Sequence, residues 1–380
     1  MNIEIDNYVN YKESEISGRY ITNDSIASLN SKYNSSICGY SVNNLPINYF
    51  KIGSGPLKIL IWSQMHGNES TSTKALFDSI SFFNLHEPIM LKELTLLVIP
   101  VLNPDGALKY TRANYNNIDL NRDAVDLSQP ESVVLKDMYN SFKPDFCFNL
   151  HDQRSIYSTS NFNSSILSFL SPSADLERRE TVSRITSMKI ILDVFDNIKK
   201  IIPENIGRYN DEYNINCVGD TFQSLNTPTI LFESGHYSQD YNREVSRYYM
   251  SLSITFAIRS IYTKSYNLLN HKNYYKITEN STCLCDIYIK NIKIKQSSFQ
   301  FNDLSIMFKE KLSSDLKEIE FIAEISEFGK LDKMSGHLIV DFISIDEIYD
   351  VSVENDLNKI MLNVNKLRII QWLLDLYKNN

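Results

Sequence analysis

Near residue 60 an apolar run, Ile59 to Trp62, breaks off through Ser63, Gln64 and Met65 into His66, Gly67, Asn68 and Glu69. An imidazole and a carboxylate three residues apart can meet one metal ion if the backbone turns tightly between them, and Gly67 permits such a turn. His66 and Glu69 are therefore read as two of three zinc ligands. Alone, the pattern fits equally a strand end followed by the polar cap of a helix. Further on, residues 112–123 read RANYNNIDLNRD and bring together Arg112, Asp119, Asn121 and Arg122 after the turn Asn103-Pro104-Asp105-Gly106. Two guanidinium groups beside a metal could hold carboxylates. Without a metal the same segment reads as a solvated loop.

The elements that would position these residues follow from hydrophobic pattern. Leu45 to Lys51 reads as a strand, and Leu57 to Ser63, Leu94 to Leu102, Phe146 to Leu150 and Thr229 to Phe232 are apolar runs of the kind buried on both faces of a sheet. Between them, Ser70 to Asn84, Glu131 to Phe142, Asp175 to Ile202 and Arg243 to Tyr262 read as helices. This alternation predicts an α/β fold, a mostly parallel mixed sheet sandwiched by helices. In such sheets ligands bind beyond the carboxyl ends of the strands. His66, Asn103, His151 and Glu233 all fall just past apolar strands, so they are expected at one edge.

Three regions are expected: an N-terminal extension over 1–44 with a helix around Ser25 to Tyr33, a main domain over 45–268, and a small β-rich C-terminal domain over 269–380. In the last, CDIYIKNIKIK and HLIVDFISI alternate in the strand period, and Asp356 to Lys378 reads as a closing helix. A length of 380 residues is enough for two domains. The net charge of -8 gives no basic footprint, which argues against nucleic acid and anionic membranes as partners. The N-terminus lacks the pattern of a secretory signal, no run approaches a membrane span, and the five cysteines have no framework spacing. The expectation is a cytoplasmic protein with free thiols, Cys283 and Cys285 alternating along a strand.

Taken together, HGNE, NPDG, Arg112 nine residues before Asn121, DLNR, PDFCFNLHD and PTILFES resemble the zinc carboxypeptidase (M14-type) family, from about Gly39 to Thr263. The resemblance implies the same α/β sandwich and one zinc ion held by His66, Glu69 and His151, with a fourth position for water. It implies Glu233 as the general base, Arg112 as the group that stabilises the oxyanion, and Asn121 with Arg122 as the pair gripping a terminal carboxylate. Asp119 would orient a zinc-bound histidine. Tyr213, or else Tyr209, would be a substrate-capping tyrosine on the loop before Glu233.

The implied activity is zinc-dependent removal of C-terminal residues from peptides. HGNE also occurs in the aspartoacylase and succinylglutamate desuccinylase branch, so hydrolysis of N-acyl amino acids is the alternative; both substrates carry a free carboxylate. A non-catalytic peptide-binding protein is a third reading. Asp152, Gln153, Arg154 and His236 read as pocket-lining or strand-capping neighbours, whereas His86, His271 and His337 lack motif context and read as surface or packing residues. Side-chain preference is expected from the segment Cys217 to Gln223, and oligomeric state is not legible.

Overall fold

A computed structural model describes residues 7–292 and 302–341. Two short helices, α1 (Tyr8–Tyr11) and α2 (Ala27–Lys32), lead into β1 (Ser36–Tyr40), β2 (Pro46–Gly53) and β3 (Leu57–Trp62). Next come α3 (Thr71–His86), β4 (Leu94–Ile99), α4 (Pro104–Lys109), α5 (Pro130–Phe142) and β5 (Phe146–Asp152). The two-residue strand β6 (Tyr157–Ser158) precedes β7 (Leu167–Leu170), α6 (Val182–Ile198), β8 (Ile206–Arg208), α7 (Val218–Ser224), β9 (Thr229–Ser234) and α8 (Glu244–Thr263). β10 (Ser281–Thr282) pairs with β6, and β11 (Leu284–Ile292), β12 (Asn302–Leu312), β13 (Ile319–Gly329) and β14 (Ser335–Asp341) complete the described chain.

The main sheet runs β1-β2-β4-β3-β5-β9-β7-β8. Its centre, β4-β3-β5-β9, is parallel throughout, and β1, β2 and the β9-β7 pairing are antiparallel. The expected α/β architecture is thus present, and β3 makes its cause plain. Alternate side chains point to opposite faces of a strand. Ile59 and Ile61 join one core with residues of α3, α6 and α8, while Leu60 and Trp62 join another with residues of α5 and α7. A strand buried on both faces must be apolar at every position, as this one is.

Several elements differ from the sequence expectation. β1 lies inside the segment read as an extension and forms the sheet edge. The long helix expected over 175–202 is shortened to α6, because the Thr181 hydroxyl accepts the Arg184 N–H and starts the helix there. NPDG is not only a turn: Asn103 caps α4 by accepting the Gly106 N–H at 2.8 Å. β7, β8 and α7, each of seven residues or fewer, were below the reach of periodicity. The helix expected over 356–378 lies outside the described residues.

The second sheet runs β13-β12-β11-β14 around Ile287, Ile289, Leu304 and Ile306. Its β12 reaches the main body through Glu310, which pairs with Arg19 at 3.0 Å and accepts the Tyr110 hydroxyl at 2.6 Å. The N-terminal segment is clamped by the buried Arg247 of α8, which pairs with Asp78 of α3 at 2.7 Å and donates to the carbonyls of Glu13 and Ile16. No helix among the described residues is long and apolar enough to cross a membrane.

Candidate active site

The parallel strands end together, and their carboxyl ends carry the chemistry. His151 is the last residue but one of β5, and its register partner on β9 is Glu233. β3 lies on the other side of β5 and ends at Trp62, from which the chain turns into the segment bearing His66 and Glu69. Neighbouring parallel strands therefore present an imidazole and a carboxyl side by side, with the second imidazole and second carboxylate one strand over.

The turn holding His66 and Glu69 is fixed by polar groups beneath it. Gln64 takes the left-handed conformation (φ 44) and is fully buried; its amide donates to the carbonyls of Ile21 and Gly67, both at 2.9 Å. Asn103 donates to the Met65 carbonyl at 3.1 Å. Gly67 is required for a reason other than the one expected, since its φ is not positive. A Cβ there would come within 1.9 Å of the Gly106 backbone, so HGNE and NPDG meet backbone to backbone. Asp152 then ties the turn to β5: its carboxylate accepts the N–H groups of Thr71 (2.7 Å) and Ser72 (3.1 Å), capping the first turn of α3.

Four ligating atoms converge above this brace. His66 Nδ1 lies 2.9 Å from Glu69 Oε1, His151 Nδ1 lies 2.7 Å from Glu69 Oε2, and the two Nδ1 atoms are 3.1 Å apart. All three residues are buried. Protons cannot satisfy this geometry. If each Nδ1 carried a hydrogen for its glutamate oxygen, two donors would face each other at 3.1 Å. A cation shared by the four atoms removes that conflict, and His₂Glu is the ligand composition of an open catalytic zinc site. His66 Nε2 lies 2.9 Å from Asp119 Oδ1, the contact that directs the Nδ1 lone pair at the metal position.

The electrostatics agree. Burial would push the Glu69 carboxyl up, but His66 and His151 outweigh it and hold it well below the usual range. Burial opposes charge on His66 too, yet Glu69 and Asp119 move its pKa up. Burial dominates at His151 and moves it down. Glu233 behaves oppositely to Glu69. Burial, reinforced by the Glu69 and Asp119-side negative charge being joined by Asp152, pushes its carboxyl well above the usual range, and its Oε2 has no hydrogen-bond partner among the described residues.

The other expected residues divide by position. Arg112 stands at the rim, half exposed, with its guanidinium 3.1 Å from both Glu69 Oε1 and Asp119 Oδ2. The Asn121 side chain accepts the Val218 N–H at 3.1 Å and so is tied to the start of α7; Arg122 is exposed and donates to the Asn121 carbonyl at 2.7 Å. Tyr209 donates to Gln153 at 2.8 Å, and Glu233 is among the charges acting on it. Tyr213 is half-buried, and the charges acting on it are Asp220 and Asp175.

Sequence reading missed Gln64, whose signal is only a polar residue in an apolar stretch, and it missed the wall of the cleft. A cleft of about 460 Å³ has Asn68, Glu69 and Arg112 on one side and Asp286, Phe308 and Glu310 of the second sheet on the other. The β-rich region thus faces the site.

Comparisons with known proteins agree with this geometry. The sequence model of the family described as zinc carboxypeptidase matches residues 23–132. Carboxypeptidase 2 of Trichophyton tonsurans is 29% identical over 100 residues, and the probable carboxypeptidase 2 of Arthroderma benhamiae is 30% identical over 100. Each match covers 25% of this chain and 19% of the relative, so the matched stretch spans about a fifth of the length of these relatives. In fold, the chain is similar to the carboxypeptidase A of Helicoverpa armigera (TM-score 0.52, 16% identity, 64% of this chain and 74% of that one). It is similar also to a metallo-carboxypeptidase of Burkholderia cenocepacia (TM-score 0.51, 13% identity, 64% and 68%). With the motifs in matching order and the ligands at the strand ends, the chain belongs to the zinc carboxypeptidase family.

Proposed function

We propose that the protein is a zinc-dependent hydrolase that removes C-terminal residues from peptides. The observation that carries this reading is the convergence of His66, Glu69 and His151 on one point, with Glu233 at the register position next to His151. Zinc bound there would supply Lewis-acid polarisation of the substrate carbonyl and acidify water in the site. The remaining work falls to the chain. Glu233 takes a proton from the attacking water and passes it to the leaving amine. The positive field of a bound metal opposes the burial that keeps this carboxyl protonated.

Arg112, at the rim above Glu69, faces negative charge that grows on the carbonyl oxygen during attack. Asn121 and Arg122 grip the terminal carboxylate of the substrate, which selects a chain end over a mid-chain amide. Asp119 keeps His66 in the tautomer that presents Nδ1. Of the two loop tyrosines, Tyr213 is the proposed cap over the substrate, since the Tyr209 hydroxyl is committed to Gln153. One ion per active site is proposed, and the five free cysteines support a reducing, cytoplasmic setting.

The test is mass spectrometry of a mixed pool of peptides and N-acyl amino acids incubated with the zinc-loaded protein and with Glu233→Gln. Loss of single C-terminal residues, absent with the variant, is expected. Cleavage confined to acyl-amino acids would replace the peptidase by a deacylase. Zinc uptake without any hydrolysis would overturn both.

A further inference from the structure

We propose that His236, Asp286 and His337 form a second metal site, of zinc type, that fastens the second sheet to the strand carrying Glu233. One ligating atom from each residue lies within 4.8 Å of the other two. His236 sits three residues past Glu233 on the segment leaving β9, Asp286 is on β11 and His337 is on β14. The site therefore joins three segments from two sheets.

Hydrogen bonding leaves ligand capacity at all three. His337 Nε2 is 2.8 Å from the Ser155 carbonyl; a carbonyl only accepts, so Nε2 carries the proton and Nδ1 keeps the lone pair. That is the partner arrangement which orients a metal-bound histidine. His236 is 2% exposed, yet its Nε2 has no hydrogen-bond partner among the described residues. Asp286 is 1% exposed and accepts one hydrogen bond on each oxygen, from the Tyr241 hydroxyl at 3.0 Å and the Phe308 N–H at 2.7 Å. A carboxylate oxygen has a further lone pair, and these two bonds fix its direction.

The two rings lie edge to face with centroids 4.4 Å apart, and neither is printed as bonded to the other. Burial, with the positive charge of Arg243, keeps both imidazoles neutral, the form that ligates. Arg243 itself is committed to the carbonyls of Ser234 and Gln153, each at 2.7 Å. Zinc at about 2.0–2.1 Å from nitrogen brings ligand atoms to roughly 3.4 Å apart, which side-chain adjustment of about 1 Å achieves from the present positions. Two imidazoles and one carboxylate suit zinc better than calcium or magnesium, which take all-oxygen sets.

The full chain is to be freed of metal, loaded with zinc, passed through a desalting column and assayed for metal by mass spectrometry. Two zinc ions per chain are expected, falling to one in His337→Ala, in Asp286→Asn and in the double variant His66→Ala/His151→Ala. Asp286→Asn keeps the size and shape of the side chain, so it tests the metal where the alanine variant might misfold. Anomalous scattering at the zinc edge from crystals of the loaded protein should give a second peak between His236 and His337. A single ion per chain that is lost in the His66→Ala/His151→Ala variant and kept in Asp286→Asn would overturn the proposal.

Discussion

The molecule contains two clusters of two histidines and one carboxylate, and they are built in contrasting ways. His66, Glu69 and His151 sit at the ends of adjacent parallel strands, and two of them share a four-residue motif. Their donor atoms stand 2.7 to 3.1 Å apart, braced by Asp119, Asp152 and a buried Gln64. His236, Asp286 and His337 come from a loop and two strands of another sheet, and their donor atoms are looser, within 4.8 Å. Beside the first cluster stand a buried carboxyl, Glu233, and a guanidinium, Arg112; beside the second, Asp286 already accepts two hydrogen bonds and the nearest arginine, Arg243, is bound to carbonyls. A ligand set alone makes a metal site. A base and a cation placed for developing charge make a reaction centre.

The largest effect that separates the clusters is expected at Glu233. Glu233→Gln should lower kcat/KM by about 10²–10⁴-fold while leaving zinc content unchanged, and retained turnover would remove the functional distinction between them. Asp220 supplies a control, a carboxyl buried near the start of α7 but outside both clusters, where burial pushes its pKa up to about 7. Its folded value exceeds the unfolded value near 3.9, so it contributes stability that is present below about pH 4 and lost as pH rises to about 7.

Asp220→Asn should therefore gain stability over the native chain with rising pH, by about 4 kcal/mol at pH 8 as an upper figure. Urea unfolding at pH 4 and pH 8 measures it, and an equal gap at both would show that burial alone does not set this carboxyl.

Asp119 orients a ligand of the first cluster and has no counterpart carboxylate at His337, whose Nε2 faces the Ser155 carbonyl. Asp119→Ala should weaken zinc at the first cluster by about 10–100-fold. In a chelator competition only one of the two binding phases should move; movement of both would show that the clusters are coupled. The smallest effect is expected for Arg122→Ala, with KM for substrates bearing a free carboxylate raised about tenfold, the worth of one charge-assisted hydrogen bond. Equal loss on amidated substrates would break its assignment to the carboxylate.

Sequence alone determined the α/β class, the strand ends and the first cluster. The reason is that these depend on short-range pattern. An apolar run buried on both faces can only be a central strand, and residues at its carboxyl end share an edge whatever the loops do. His66 with Glu69, His151 and Glu233 were legible for that reason. Short elements such as β7 and α7, and the true start of α6 at the Thr181 cap, carry too few residues for a period to register. Only the tertiary structure decided that Gly67 meets Gly106, that Asp152 caps α3, that the second sheet walls the cleft, and that His236, Asp286 and His337 come together. Each of these is a contact between segments whose local sequences carry no mark of the partner, and such contacts exist only once both sheets have packed.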